Sequence, residues 1–319
     1  MNRRDRVLEL LSSERKQSYI PAAFFLHFDE SCHRGQAAVD KHLEYFRYTG
    51  MDFVKIQYEL TFPIMPEIRR PADWARVPRY GRDFFAAQLE VVGGIVERVK
   101  NEALVVVTLY SPFMCAGQLV RRGEKGGLEV LTEHLRESPD EVKPGLEAVT
   151  ESLLLFVREC VKLGVDGFYT STQGGERGRF EDPGLFLEYI KPFDLLPMEE
   201  ASRSCPFNIL HICDYHGGYD DLSPYLDYPG QVVNSSLQLA SRQISGREIS
   251  RLFGRPYMGG MERHGVIVTG SEAEIRRAVR EVIAGAPERF ILAADCTVPS
   301  HTAWDNIRIA IDTAHRYGG

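Results

Sequence analysis

Three side chains in this sequence carry the chemistry that constrains it most. His211 and Cys213 lie in Asn208-Ile209-Leu210-His211-Ile212-Cys213-Asp214, and Cys296 ends Ala293-Ala294-Asp295-Cys296. The first stretch reads as a β-strand. Alternation along a strand sends residues two apart out of the same face, so His211 and Cys213 reach one centre. Imidazole and thiolate are both zinc ligands, and Cys296, at the end of another apolar strand, supplies a third. Structural zinc sites are usually closed by four protein ligands, whereas three ligands and an open position admit a substrate atom. A His-x-Cys pair also arises by chance in a buried strand, so the reading depends on where the two strands stand in the chain.

The elements that must position these residues alternate in type. Strand patterns fall at 19–27, 51–60, 103–110, 165–172, 206–213, 231–237, 256–261 and 289–296. The third, Leu104-Val105-Val106-Val107-Thr108-Leu109, is apolar in the manner of a parallel strand buried on both faces. Helical spacing covers 38–48 and 84–100, then two helices follow the third strand, the stronger over 144–163. Further helices start at Asp182-Pro183, an N-cap and first-turn proline, run over 245–253, start at the capping pattern Ser271-Glu272-Ala273-Glu274, and close the chain over 304–317. An amphipathic helix precedes the first strand. Eight strand-helix repeats predict one α/β domain over residues 1–319, a (β/α)8 TIM barrel with an extra N-terminal helix. No glycine-rich dinucleotide fingerprint follows the first strand, which disfavours an open doubly wound sheet. Catalytic groups of such barrels sit at the C-terminal strand ends, and His211, Cys213 and Cys296 all fall there. That position favours the metal reading over chance.

Composition narrows the class. Hydrophobic residues at 44% and charged residues at 26% suit a soluble globular enzyme. A formal charge of -7 argues against a nucleic-acid or anionic-membrane surface. No apolar run approaches the ~20 residues that cross a bilayer, and the N-terminus has no signal-peptide pattern. The six cysteines, 32, 115, 160, 205, 213 and 296, form no regular framework, which implies a reducing cytoplasm.

Several motifs together resemble those of the uroporphyrinogen decarboxylase superfamily, which includes zinc-dependent methyltransferases that act with corrinoid proteins. Phe290-Ile291-Leu292-Ala293-Ala294-Asp295-Cys296, Pro299, Trp304-Asp305-Asn306-Ile307 and the Tyr317-Gly318 stop resemble the last strand and closing helix. Tyr257-Met258-Gly259-Gly260-Met261-Glu262 is similar to the seventh-strand segment, Ser111-Pro112-Phe113 to the third-strand turn, and Tyr169-Thr170-Ser171-Thr172-Gln173-Gly174 to the fourth-strand loop. The methyltransferase branch carries a His-x-Cys pair and a later Cys as zinc ligands, matching His211, Cys213 and Cys296. True decarboxylases carry an arginine-rich loop after the first strand; here it reads His27-Phe28-Asp29-Glu30-Ser31-Cys32-His33-Arg34, with a single arginine. One cation is a poor anchor for a porphyrinogen bearing eight carboxylates.

The resemblance therefore implies zinc, a methylcorrinoid carried by a partner protein, a small thiol or methyl donor, and a homodimer. A methyl group would move in either direction between corrinoid and small molecule. The alternative is a decarboxylase of a tetrapyrrole or smaller acid. Among polar groups at strand ends, Glu59 and Asp295 are the candidate catalytic acids, although a regular strand would point Asp295 away from Cys296. Tyr110, Ser171, Gln173 and Glu262 are candidate substrate contacts, His264 a candidate cavity residue, and His216 a candidate proton shuttle. Each is also explained as ordinary loop polarity.

Overall fold

The protein is described here by a computed structural model covering residues 2–12, 19–121 and 123–317; Gly318 of the closing motif lies outside them. Helix α1 (Arg3–Ser12) comes first, then α2 (Gly35–Thr49), β1 (Phe53–Ile56), α3 (Arg82–Val99) and β2 (Leu104–Tyr110). Three helices follow, α4 (Pro112–Gln118), α5 (Gly127–Glu137) and α6 (Pro139–Leu163), where two were expected. After β3 (Gly167–Thr172) come α7 (Gly184–Tyr189), α8 (Lys191–Ser204), β4 (Ile209–Ile212), β5 (Val232–Ser235) and α9 (Gly246–Phe253). The chain then forms β6 (Tyr257–Met261), α10 (Val266–Thr269), α11 (Glu272–Gly285), β7 (Phe290–Ala294) and α12 (Trp304–His315).

Seven parallel strands pair in sequential order, β1 to β7, in one sheet consistent with a TIM-like barrel. Two-sided burial explains the apolar runs. Val105, Val106 and Val107 of β2 are all fully buried, and each such side chain contributes about 1.5–3 kcal/mol. Local signals mark the helix ends. Ser245 with Glu248 and Ser271 with Glu274 form reciprocal capping boxes, and α2 stops at Gly50, whose φ of 77° is left-handed. Helix α6 begins at Pro139 rather than near 144, because Pro139 occupies the first turn, where its missing N–H costs nothing, and Pro144 is carried inside the helix.

Eight strands were expected and seven form ladders. The first expected strand, 19–27, makes one isolated parallel bridge, Ala22 to Leu292, with bonds from Ala23 N to Leu292 O (3.0 Å) and from Leu292 N to Pro21 O (2.9 Å). Facing β1, Asp52 N reaches Ala22 O (3.0 Å), but side chains take the remaining groups. Asp52 Oδ2 accepts from Ala22 N (2.7 Å), Tyr45 donates to Phe24 O (3.0 Å), and Gln57 Nε2 donates to Leu26 O (2.6 Å). The second expected strand is cut to Phe53–Ile56 for a similar reason: Gln57 N donates to His42 Nε2 (3.1 Å) and Glu59 N to Gln88 Oε1 (3.3 Å). Helix α1 packs near the starts of β1 and β2, burying Val7 and Leu10. Among the described residues no helix is long and apolar enough to cross a membrane.

Candidate metal centre and cavity

His211 lies on β4, and Cys213 follows that strand by one residue, its N–H still bonded to Thr172 O (3.1 Å). The extended run therefore continues through Cys213, so alternation applies to the pair. Cys296 lies two residues past β7. One ligand atom from each of His211, Cys213 and Cys296 lies within 4.8 Å of the others. The three meet at the C-terminal ends of their strands.

His211 is 1% exposed, its ring stacks on Tyr169 (centroids 4.9 Å), and neither ring nitrogen has a hydrogen-bond partner. A buried imidazole left so costs about 1–3 kcal/mol, which a bound cation would relieve. A hydrogen bond from Cys296 holds the Cys213 thiol well below the usual range against the opposing effect of burial, and the nearby His211 adds to the lowering. That same bond, burial and the charge on Cys213 push Cys296 well up. One imidazole and two thiolates suit zinc, so the residues present fit the metal.

A cavity of about 1100 Å³ opens over this cluster. Glu59, Tyr110, Ser171 and Gln173 line it together with His211, Cys213 and Cys296, and so do His216 and His264. Gln173, fully buried, donates through Nε2 to Cys213 Sγ (3.2 Å), and its Oε1 meets His216 Nδ1 (2.9 Å). Ser171 Oγ points to Met114 Sδ (3.7 Å), and Tyr110 packs edge-on against Tyr58. Burial raises the Tyr110 phenol, so it remains a proton donor. Burial pushes Glu59 up, but the hydrogen bond from His27 Nδ1 (2.9 Å) and the charges of His27, His33 and Lys55 hold it lower overall. Two expected residues lie off the cavity wall. Glu262 is exposed, and Asp295 accepts from Arg263 N (2.9 Å), its carboxyl raised by burial and partly restored by Arg263.

Lys55, His27 and Arg263 are among the cavity residues that the sequence did not single out. Lys55 is 5% exposed in β1; its Nζ donates to Gln57 Oε1 (2.9 Å) and lies 4.7 Å from the ring centroids of both Phe25 and Tyr169. Burial lowers its pKa to about 8. A single charge inside a four-residue buried strand was the available signal. His27 and Arg263 also line the cavity, but their partners Glu59, Asp214 and Asp295 are remote in sequence.

Comparison with known proteins adds the lineage. No curated protein matches the chain. In fold it is similar to a methyltransferase from Methanosarcina mazei, at 14% identity and TM-score 0.76 over 100% of both chains. It is also similar to a B12-independent methionine synthase from Shewanella sp., at 12% identity and TM-score 0.53 over 95% of this chain and 94% of that one. A Listeria monocytogenes protein described as a vitamin-B12 independent methionine synthase gives 12% identity and TM-score 0.51 over 88% and 86%. The family model "Uroporphyrinogen decarboxylase (URO-D)" matches residues 50–317, and the chain accordingly belongs to the uroporphyrinogen decarboxylase family of enzymes.

Proposed function

We propose that this enzyme is a zinc-dependent methyltransferase that moves a methyl group between a corrinoid protein and a thiol or small methyl donor. The observation that carries the reading is the convergence of His211, Cys213 and Cys296 within 4.8 Å around a buried, unpartnered imidazole. These three residues would hold the zinc, which when bound lowers the pKa of a thiol so that it reacts as thiolate at neutral pH. The 20–26 segment, bridged to β7 and bonded to the residue before β1, serves as the eighth stave of the barrel.

The chain's own residues set the rest of the chemistry. Gln173 fixes the Cys213 sulfur by its amide, and Tyr219 fixes the same residue's backbone by donating to Cys213 O (2.8 Å). Glu59 holds His27 through Nδ1, which leaves His27 Nε2 to take the proton of an incoming thiol, with the imidazolium then paired to the carboxylate. Lys55 offers a fixed cation within the cavity wall. Small-molecule pockets span about 300–1,000 Å³, so a cavity of 1100 Å³ leaves a small thiol room for a second reactant.

The cavity's arginines speak against a polycarboxylate substrate. Arg263 is engaged by Asp214 and Asp295, Arg179 by Glu176, and Arg136 by the carbonyls of Gly178 and Arg179. Arg34, the arginine of the first loop, is exposed and does not line the cavity.

The test is anaerobic assay of purified protein with zinc, methylcobalamin and a panel of thiols, beside uroporphyrinogen. Expected are one equivalent of zinc, thiol-dependent demethylation of the corrinoid, and no decarboxylation. Failure to take up zinc, or uroporphyrinogen turnover on the order of 1 per second, would overturn the proposal.

A further inference from the structure

Each cysteine just beyond β4 and β7 has an acidic neighbour in the chain. Asp214 follows Cys213 and Asp295 precedes Cys296. Cys213 and Cys296 line the cavity and the two carboxylates beside them do not, so the acids are free to grip the structure away from it. One residue engages both. Arg263, just beyond β6, places Nη1 2.6 Å from Asp214 Oδ1 and 3.5 Å from Asp295 Oδ2, and its backbone N–H donates to Asp295 Oδ1 (2.9 Å). The three side chains are only 14%, 15% and 10% exposed, which removes the ion pairs from the regime where solvent screening makes them nearly worthless.

The sheet itself leaves this link to be made. Strands β5 and β6 lie between β4 and β7, so no ladder joins the strand end that bears Cys213 to the one that bears Cys296. Asp295 N is tied to Met261 O on β6 (2.9 Å), and Arg263 carries that connection across to Asp214. We infer that Arg263 is a positioning residue, clamping Asp214 to Asp295 so that the Cys213 and Cys296 sulfurs are held at the separation one metal ion requires. The inference rests on the zinc reading above. Arg263 also lines the cavity, but its Nη1 is already committed to two carboxylates, which favours the clamp over direct binding of an anionic substrate.

The experiment measures zinc affinity by chelator competition, the visible spectrum of the cobalt-substituted protein, and the thermal transition of the metal-free protein. Arg263→Gln should weaken zinc about 10- to 100-fold, the range for residues that support metal ligands. The cobalt bands should lose tetrahedral intensity, and Arg263→Lys, which keeps the charge but not the fixed plane of the guanidinium, should restore affinity only in part. If Arg263→Gln fails to fold with two unpaired acids, the triple variant Arg263→Gln, Asp214→Asn, Asp295→Asn removes the charges and should show the same loss. A merely structural arginine would lower the thermal transition while leaving zinc affinity and the cobalt spectrum unchanged, and that result would overturn the inference alone. An anion-binding role would raise KM for an anionic thiol with zinc affinity intact, and would overturn it too. Absence of zinc uptake by the unaltered protein would overturn both this inference and the metal reading beneath it.

Discussion

Asp52, just before β1, and His211, on β4, are both almost fully buried polar residues, and their surroundings are opposite. Asp52 accepts from Tyr19 (2.6 Å) and Ala22 N (2.7 Å) and faces His315 Nε2 (2.9 Å). The same holds at two other strand starts: Asp166 accepts from Val105 N (2.9 Å) and pairs with Arg4 (2.6 Å), while Asn208 accepts from Phe168 N (3.0 Å) and donates to Cys205 O (3.0 Å). Toward the cavity, His211 has two bare nitrogens, and Tyr58 Oη, Thr108 Oγ1 and Arg263 Nε are also unpartnered. Buried polar groups are normally matched because an orphan costs about 1–3 kcal/mol. Matching at one end and orphaning at the other divides the barrel into a face that holds the fold and a face kept ready for ligands, as barrel enzymes usually are.

The largest expected effect tests the ligand face. Cys213→Ser should cut zinc stoichiometry sharply, because a hard alcohol is a poor substitute for a thiolate, and reduce methyl transfer at least about 100-fold. Its resistance to denaturant without metal should stay close to the parent's. Asp52→Ala should do the reverse, costing about 3–5 kcal/mol by stranding Ala22 N–H, the Tyr19 hydroxyl and His315. Zinc stoichiometry should be untouched. If Asp52→Ala emptied the metal centre at a temperature where the protein is folded, the division between the two faces would be wrong.

A smaller effect, read by pH, comes from His42, whose Nδ1 donates to Ala38 O (2.8 Å) while Nε2 accepts from Gln57 N. Burial lowers its pKa to about 4. Between that value and the unfolded 6.5 the unfolded chain binds the proton that the folded one refuses. Stability present above pH 6.5 is therefore lost as pH falls toward 4, by up to about 3 kcal/mol. His42→Gln should flatten that part of the stability–pH curve. An unchanged slope would assign acid sensitivity to other groups.

What the sequence disclosed and what it hid follow from the range of the interactions. Runs such as Leu104–Tyr110 were legible because two-sided burial demands apolar residues in succession. Ser245 and Ser271 were legible because a capping box is closed within four residues. The 19–27 segment has the apolar content of a strand but lacks a ladder, since its bonds go to Asp52, Tyr45 and Gln57, which only folding brings near. The spacing of His211 and Cys213 was readable on one strand. That Arg263 reaches both Asp214 and Asp295 was not, because three separate loops must meet to make the contact.

Lys55 gives the smallest and most discriminating test, because two modest terms oppose one another. Its pKa in the folded protein, about 8, lies below the ordinary 10.5 of the unfolded chain, so the charged amine costs the fold about 3 kcal/mol at neutral pH. That cost is complete below pH 8 and disappears as pH rises from 8 to 10.5, where the unfolded chain holds a proton that the folded chain has shed. Lys55→Met keeps similar bulk and removes the charge, but it leaves Gln57 Oε1 without its donor, a loss of about 1–3 kcal/mol. The net change at pH 7 should fall between about 0 and 2 kcal/mol in favour of the variant, with the alkaline rise of the parent absent. Methyl transfer should drop, since the cavity loses its one cation on a strand. Denaturant titrations at pH 7 and pH 10, beside turnover, measure all three. A variant clearly less stable than the parent would move Lys55 to the side of Asp52, as a residue that holds the fold; a variant equally stable and equally active would leave the buried charge without a purpose. Stability kept and turnover lost is the outcome expected of a residue on the ligand face.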